Sequence, residues 1–164
     1  MSKNGQTSSP SRLIDIILDE SSIGSHSLEA EHERKVAIFD LLEDNSFELV
    51  GGPQGPYKLR IGIAEQRLAL AVTAGETEEP VAAFLLSLKP LRKVVKDYFL
   101  VCENYFEAIK SAPPSRIEAL DMGRRALHDE GSRLLVERLE GKVRMDEATS
   151  RRLFTLLCAL HWKG

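Results

Sequence analysis

The sequence predicts an α+β domain: an N-terminal strand and helix, then an antiparallel β-meander, then three C-terminal helices packed on one sheet face. Two observations carry this. Apolar residues between Tyr57 and Leu88 mostly alternate with a period of two, whereas from Pro90 onward they recur at three- and four-residue steps. Turn residues crowd the first half, while the second is broken chiefly by Pro113-Pro114 and Gly141. Strands gathered first and helices last place the helices on one side of the sheet.

The elements follow in order. Residues 1–11, polar and closed by Pro10 and Ser11, read as a flexible leader to a single domain over 12–164. Arg12 to Leu18 alternates as a strand, with Ile14, Ile16 and Leu18 on one side. Leu28 to Leu42 reads as a helix whose core stripe is His32, Val36 and Phe39 with Ile38, Leu41 and Leu42 beside it, and Asp44 and Asn45 end it. Phe47 to Val50, Tyr57 to Ile63, Leu68 to Val72 and Val81 to Leu88 form a meander of about four strands, the first two separated by a Gly/Pro turn at 51–56. A long amphipathic helix starts at Pro90 and carries Tyr98, Phe99, Tyr105 and Phe106 on its buried side. Ser115 with Glu118 has the spacing of a capping box for the next helix, in which Gly131 is a point of bending. Asp146 caps a last helix whose wide apolar stripe, Leu153, Phe154, Leu156, Leu157, Cys158 and Leu160, predicts a central packing position.

At 164 residues, 43% hydrophobic and 29% charged, the chain has the composition of an ordinary globular domain, and folding at that size hides roughly 70% of the unfolded surface. No apolar run approaches the roughly 18 residues a membrane span needs, and the N-terminus has no apolar stretch resembling a signal peptide. Cytoplasmic residence is the expectation, with Cys102 and Cys158 as buried, reduced thiols. A net charge of −3 disfavours nucleic acid. That value conceals a separation: residues 15–48 hold ten carboxylates against Arg34 and Lys35, whereas residues 89–164 hold fifteen cations against eleven carboxylates.

Two clusters attract chemical readings. Lys89, Arg92, Lys93 and Lys96 gather at the start of the long helix, where exposed amides also attract anions, but the same charges suit a solvated helix face. Arg124 and Arg125, followed by His128, Asp129 and Glu130, set cations, an imidazole and carboxylates four apart, although Arg125 with Asp129 has the spacing of an ordinary surface pair. There is no CxxC, HExxH, GxGxxG, Walker or GxSxG pattern. The sequence therefore calls for no cofactor and no metal.

Val36 to Glu43, Val95 to Phe99, Met122 to Arg125, His128 to Ser132 and Arg151 to Trp162, taken in order, resemble uncharacterised protein family 0262. The resemblance runs from about Arg12 to the C-terminus. It implies a small, bacterial, cytoplasmic, single-domain protein of the alphaproteobacterial kind, and it carries no catalytic or binding role to any position.

The leading functional expectation is a binding or regulatory protein acting through a protein partner, with self-association a further possibility through apolar surface on the last helix or the long helix. The alternative is a small enzyme acting on an anionic or phosphorylated metabolite, with Arg124 or Arg125 as anion clamp and His128 and Glu130 as acid and base.

Overall fold

The structure, a computed structural model, describes residues 10–162. Its sheet runs β1 (Leu13–Leu18), β3 (Tyr57–Ala64), β4 (Arg67–Ala74), β5 (Pro80–Ser87) in spatial order. Helix α1 (Leu28–Glu43) lies between β1 and a two-residue strand β2 (Glu48–Leu49) in the chain. Helices α2 (Leu88–Ser111) and α3 (Pro114–Arg138), a second short strand β6 (Val143–Arg144) and α4 (Glu147–Ala159) follow β5. The fold is α+β, as the periodicity predicts. Among the described residues no helix is long and apolar enough to cross a membrane.

The meander has three strands, β3-β4-β5, rather than four. The 47–50 segment leaves the sheet and pairs antiparallel with β6, joined by Arg144 to Glu48 at 2.8 Å. The fourth place is taken by β1, which pairs with β3 in parallel. A register shift between Leu13 and Asp15 breaks strict alternation, so that Leu13 and Ile16 are buried while Ile14 is exposed. At that edge the Asn45 side chain acts as a substitute strand, accepting from the Leu13 N–H (2.8 Å) and donating to the carbonyls of Leu13 and Leu41 (both 3.0 Å). The expected leader lies outside the described residues up to residue 9; the Ser11 carbonyl accepts from the Phe47 N–H.

The β3–β4 turn is two residues, Glu65 and Gln66, both at positive φ (52° and 67°). That is the geometry a right-twisted hairpin demands, met here without glycine. One face of the sheet, with Leu59, Ile61, Leu68, Leu70, Val72 and Leu86, joins Leu91, Leu135, Leu153 and Leu156 in a single core. The other carries Arg60, the half-buried Ala69 and Ala71, and exposed Ala83 and Leu85.

Helix boundaries depart from the expectation in instructive places. In α1 the buried stripe is Ala30, Arg34, Ala37 and Leu41, whereas His32, Val36 and Phe39 face outward. Small residues win because this face lies against α4, where bulk would hold the helices apart. Helix α2 begins at Leu88, its first turn capped by Ser87 Oγ accepting from the Lys89 N–H, so Pro90 is third rather than first. Phe106 points to solvent, 62% exposed, and is not part of the buried side. The Ser115–Glu118 box does not form: Pro113 is the N-cap with no side-chain bond and Pro114 opens the helix. Asp146 does cap α4, accepting from the Thr149 N–H at 2.8 Å.

Gly131 lies inside the unbroken α3. It lets α3 close on α4, because a Cβ there would stand 2.2 Å from the Phe154 ring, a fully buried side chain. Ser132 and Ser150 complete the seam with Oγ–H donation from Ser132 to Ser150 (3.0 Å) and from Ser150 to the Ser132 carbonyl (2.7 Å). Gly131→Ala therefore lowers the unfolding free energy by about 1–2 kcal/mol, overpacking outweighing the gain in helix propensity. A denaturant midpoint that rises instead overturns the account of the seam.

Candidate functional site

Helix α4 ends beneath α2, and the space between them, bordered by α1, opens as a cleft of about 800 Å³. Its walls are Tyr98, Phe99, Cys102 and Phe106 from α2 and Cys158 and Ala159 from α4, with Glu33, Glu103 and Arg124 among the charged groups that line it. A smaller hollow of about 270 Å³ adjoins it, lined by Arg92, Val95, Lys96 and Trp162. Phe99, Cys158 and His161 belong to both. The two form one groove along α2, cationic at the Arg92 and Lys96 end and apolar in the middle.

His161 sits at the junction. Its ring stacks on Phe99, with centroids 5.2 Å apart and planes 10° from parallel, and its Nε2 lies 3.0 Å from Glu33. The backbone there takes a positive φ of 49°, and Gly24 supports it, donating its N–H to the Leu160 carbonyl (3.0 Å) at an approach no side chain would permit. Arg34, 5% exposed, donates to the Ala159 carbonyl at 3.1 Å and so satisfies the buried end of α4.

The residues singled out from sequence are distributed differently from the expected clamp and acid–base pair. Arg124 and Arg125 both grip Asp121, Arg124 on Oδ1 and Arg125 on Oδ2 at 2.6 Å. This holds the Asp121 carboxyl below the usual carboxylate range, the hydrogen bond from Arg124 being the chief cause. Arg124 also lies over the Tyr105 ring, 5.0 Å from its centroid. The expected Arg125–Asp129 pair is absent; Asp129 pairs with Arg151 at 2.7 Å. In the other cluster, Arg92 donates to Gln66 Oε1 (2.6 Å), Lys93 pairs with Asp97 (3.0 Å), and Lys89 and Lys96 are exposed. Only Arg92, Lys96 and Arg124 of the six cations reach the groove.

His128 and Glu130 do not converge. Glu130 is exposed on the side of α3 that bears on Lys93. His128 is set edge-on to Tyr98 and Phe154, with centroids at 5.6 and 5.2 Å. The Thr155 hydroxyl donates to the Arg151 carbonyl (3.1 Å), which leaves Thr155 Oγ1 to accept from His128 Nε2–H at 2.8 Å. Nδ1 is then a buried acceptor without a partner among the described residues. Burial, reinforced by the nearby Arg151 charge, holds the imidazole below its ordinary value and therefore neutral.

The phenol and the two thiols that wall the groove are also kept in their uncharged forms. Burial pushes the Tyr98 phenol up to about 12 and raises both the Cys102 and the Cys158 thiols. Thiols shifted that way are poor nucleophiles at neutral pH. Among the described residues no three His, Cys, Asp or Glu side chains are grouped to hold a metal ion. The arrangement can bind apolar matter between aromatic walls and an anion at one end. Sequence reasoning missed Asp121, Glu33 and the Phe99–His161 stack, since their partners lie far away in the chain or were assigned to other roles.

Because the folded state holds His128 below the ordinary value of 6.5, the unfolded chain takes up its proton first on acidification. The contribution is complete above that value and is lost as pH falls from it toward the folded value. Thermal melting from about pH 8 to about pH 5 shows a loss of stability on the acid side that His128→Gln reduces. An unchanged acid slope in the variant would falsify this.

Comparison with known proteins places the chain. The model of the Uncharacterised protein family (UPF0262) matches residues 10–163. The chain is 59% identical to a UPF0262 protein of Azorhizobium caulinodans across 97% of this chain and 99% of that one. It is 60% identical to one of Xanthobacter autotrophicus, covering 93% of each, and 57% identical to one of Brucella anthropi, covering 93% and 95%. No solved structure matches it.

Proposed function

The chain belongs to the uncharacterised protein family UPF0262, a membership that brings no reaction with it, and from that premise we propose that it works as a cytoplasmic binding protein that engages a protein partner through the α2 groove. The observation that carries the reading is the cleft of about 800 Å³, walled by Tyr98, Phe99, Cys102 and Phe106 and continuous with a cationic end at Arg92 and Lys96. Aromatic walls with an exposed rim are the setting in which a few side chains supply most of a binding energy. An amphipathic segment fits it: apolar side chains between Phe99 and Phe106, and an acidic group toward Arg92 and Lys96.

Enzymatic use of the same residues has less support. A general acid and base have to meet at one substrate, and His128 and Glu130 occupy separate surroundings, while both guanidinium groups meant to hold an anion are already bonded to the Asp121 carboxylate.

A photo-crosslinking residue placed at Phe106 in living cells tests the reading. It captures one partner in stoichiometric amount, and the capture survives moderate salt because apolar contact dominates. Phe106→Ala weakens that partner's binding about tenfold or more without a change in melting temperature. Capture of the same partner at equal yield by a crosslinker at Lys58, on the opposite face of the sheet, or no partner at any salt concentration, removes the proposal.

A further inference from the structure

Among the described residues, strand β5 is the last of the sheet. Its sequence, Pro80 to Ser87, contains no charged residue. The Leu88 N–H donates to the Gln66 carbonyl at 3.1 Å, and antiparallel alternation from that pair gives the bonds to β4 to Leu86, Phe84 and Ala82. The backbone N–H and C=O groups of Ala83 and Leu85 are thereby turned toward the free edge, while the Ser87 carbonyl begins the α2 ladder. Among the described residues no strand pairs with that side of β5. The β1 edge is treated differently, with Asn45 occupying Leu13.

Proteins blunt exposed edges with lysine, proline, bulges or a covering element. In β5 the proline stands at the first position and the bulge lies at the same end, opposite Val72 and Thr73, so the stretch from Ala83 to Ser87 is unprotected. Leu85 is 60% exposed on the outer face. Phe84, on the helix-covered face, is only partly buried against the core. An unsatisfied ladder lies between two incompletely covered apolar rows.

The two ends of this edge carry opposite charge. Glu76, Glu78 and Glu79 precede β5, and Lys89 and Lys93 follow it. A parallel neighbour of the same sequence would bring like charges together; an antiparallel one brings opposite charges together at both ends.

We propose that β5 pairs antiparallel with β5 of a second copy of this chain, about a two-fold axis at Phe84, joining two four-stranded sheets into one of eight strands. Only outward-facing residues can exchange ladder bonds, and centring on Phe84 sets Ala83 against the partner subunit's Leu85 and Leu85 against the partner subunit's Ala83. The same register brings the two Phe84 side chains together as a close non-hydrogen-bonded pair and completes their burial. It also brings Glu79, just before one β5, to the end where Lys89 opens the partner subunit's α2. Centring on Ala83 or Leu85 would satisfy the ladder but lose both of the latter pairings. The surface is separate from the α2 groove, and the dimer does not depend on what the groove binds.

Light scattering on the full chain across a dilution series tests this. The wild type is a dimer that dissociates on dilution. Ala83→Pro is monomeric with an unchanged far-ultraviolet spectrum, because its N–H faces the edge and proline there removes no bond to β4. Glu79→Lys and Lys89→Glu each weaken the dimer about tenfold, and the double exchange restores it by re-forming the pair with reversed sign. Should Ala83→Pro fail to fold, the charge exchange decides alone. A wild type that stays monomeric to hundreds of micromolar, a dimer that persists in folded Ala83→Pro, or a double exchange as weak as its single members each overturns the proposal.

Discussion

Helix α4 is buried over most of its surface, leaving outside chiefly the narrow stripe of Glu147, Arg151 and Thr155, and the architecture is the answer to that constraint. Eight of its thirteen residues are buried, so it has to be covered around most of its circumference, and both of its ends lie where their backbone groups need partners from the protein itself. Helix α1 covers one side through Ala30 and Ala37, α3 covers another through Gly131 and Ser132, and the sheet joins the same core. At the N-terminal end Asp146 accepts from the Thr149 N–H, and Thr149 Oγ1 accepts from the Ser46 N–H (both 2.8 Å), tying the loop after α1 to the helix. At the other end Arg34 and Gly24 take the carbonyls of Ala159 and Leu160. The groove exists because α2 spans this buried end without filling the space beneath it.

Periodicity made the broad plan legible. The shift from two-residue to three- and four-residue spacing located the sheet and the helices, and the breadth of the 153–160 stripe predicted α4's central place, since a helix apolar over so wide an arc cannot lie at a surface. The errors share a cause. In α1 the larger residues His32, Val36 and Phe39 outscored Ala30 and Ala37 as core candidates, yet at a close helix crossing the small residues go inside. At Gly131 a lack of side chain signified close approach, and Phe154, the reason for it, lies 23 positions away. The parallel pairing of β1 with β3 was equally invisible, because alternation reveals a buried face and not a neighbour's direction.

The site was less legible than the fold for the same reason of distance. Its walls come from α2 and from residues 155–161, with Glu33 from α1 and Arg124 from α3. No segment contains enough of it to announce a pattern. The local cluster at 124–130 did announce one, and there the geometry of a helix separates what the sequence groups: His128 and Glu130 are two apart, and residues two apart do not share a face. Asp121, three and four residues before the arginines, is the partner that helical spacing favours, and it was within reach of sequence reasoning.

The separation of charge along the chain also changes meaning once folded. Much of it is met locally, with Glu33 beside His161, Glu48 beside Arg144 and Asp121 between two arginines. What is left has direction: cations at Arg92 and Lys96 mark one end of the groove, and acidic and basic groups flank β5 at opposite ends. A chemical site would be expected to hold some group near its working protonation state, whereas burial drives the Tyr98 phenol and both thiols toward their uncharged forms. Desolvation that keeps groups neutral serves apolar contact, because neutral walls cost least to dry when a partner displaces water from them. Charge at the Arg92 and Lys96 end and uncharged aromatic and thiol walls beside it make a surface suited to orienting a partner before holding it.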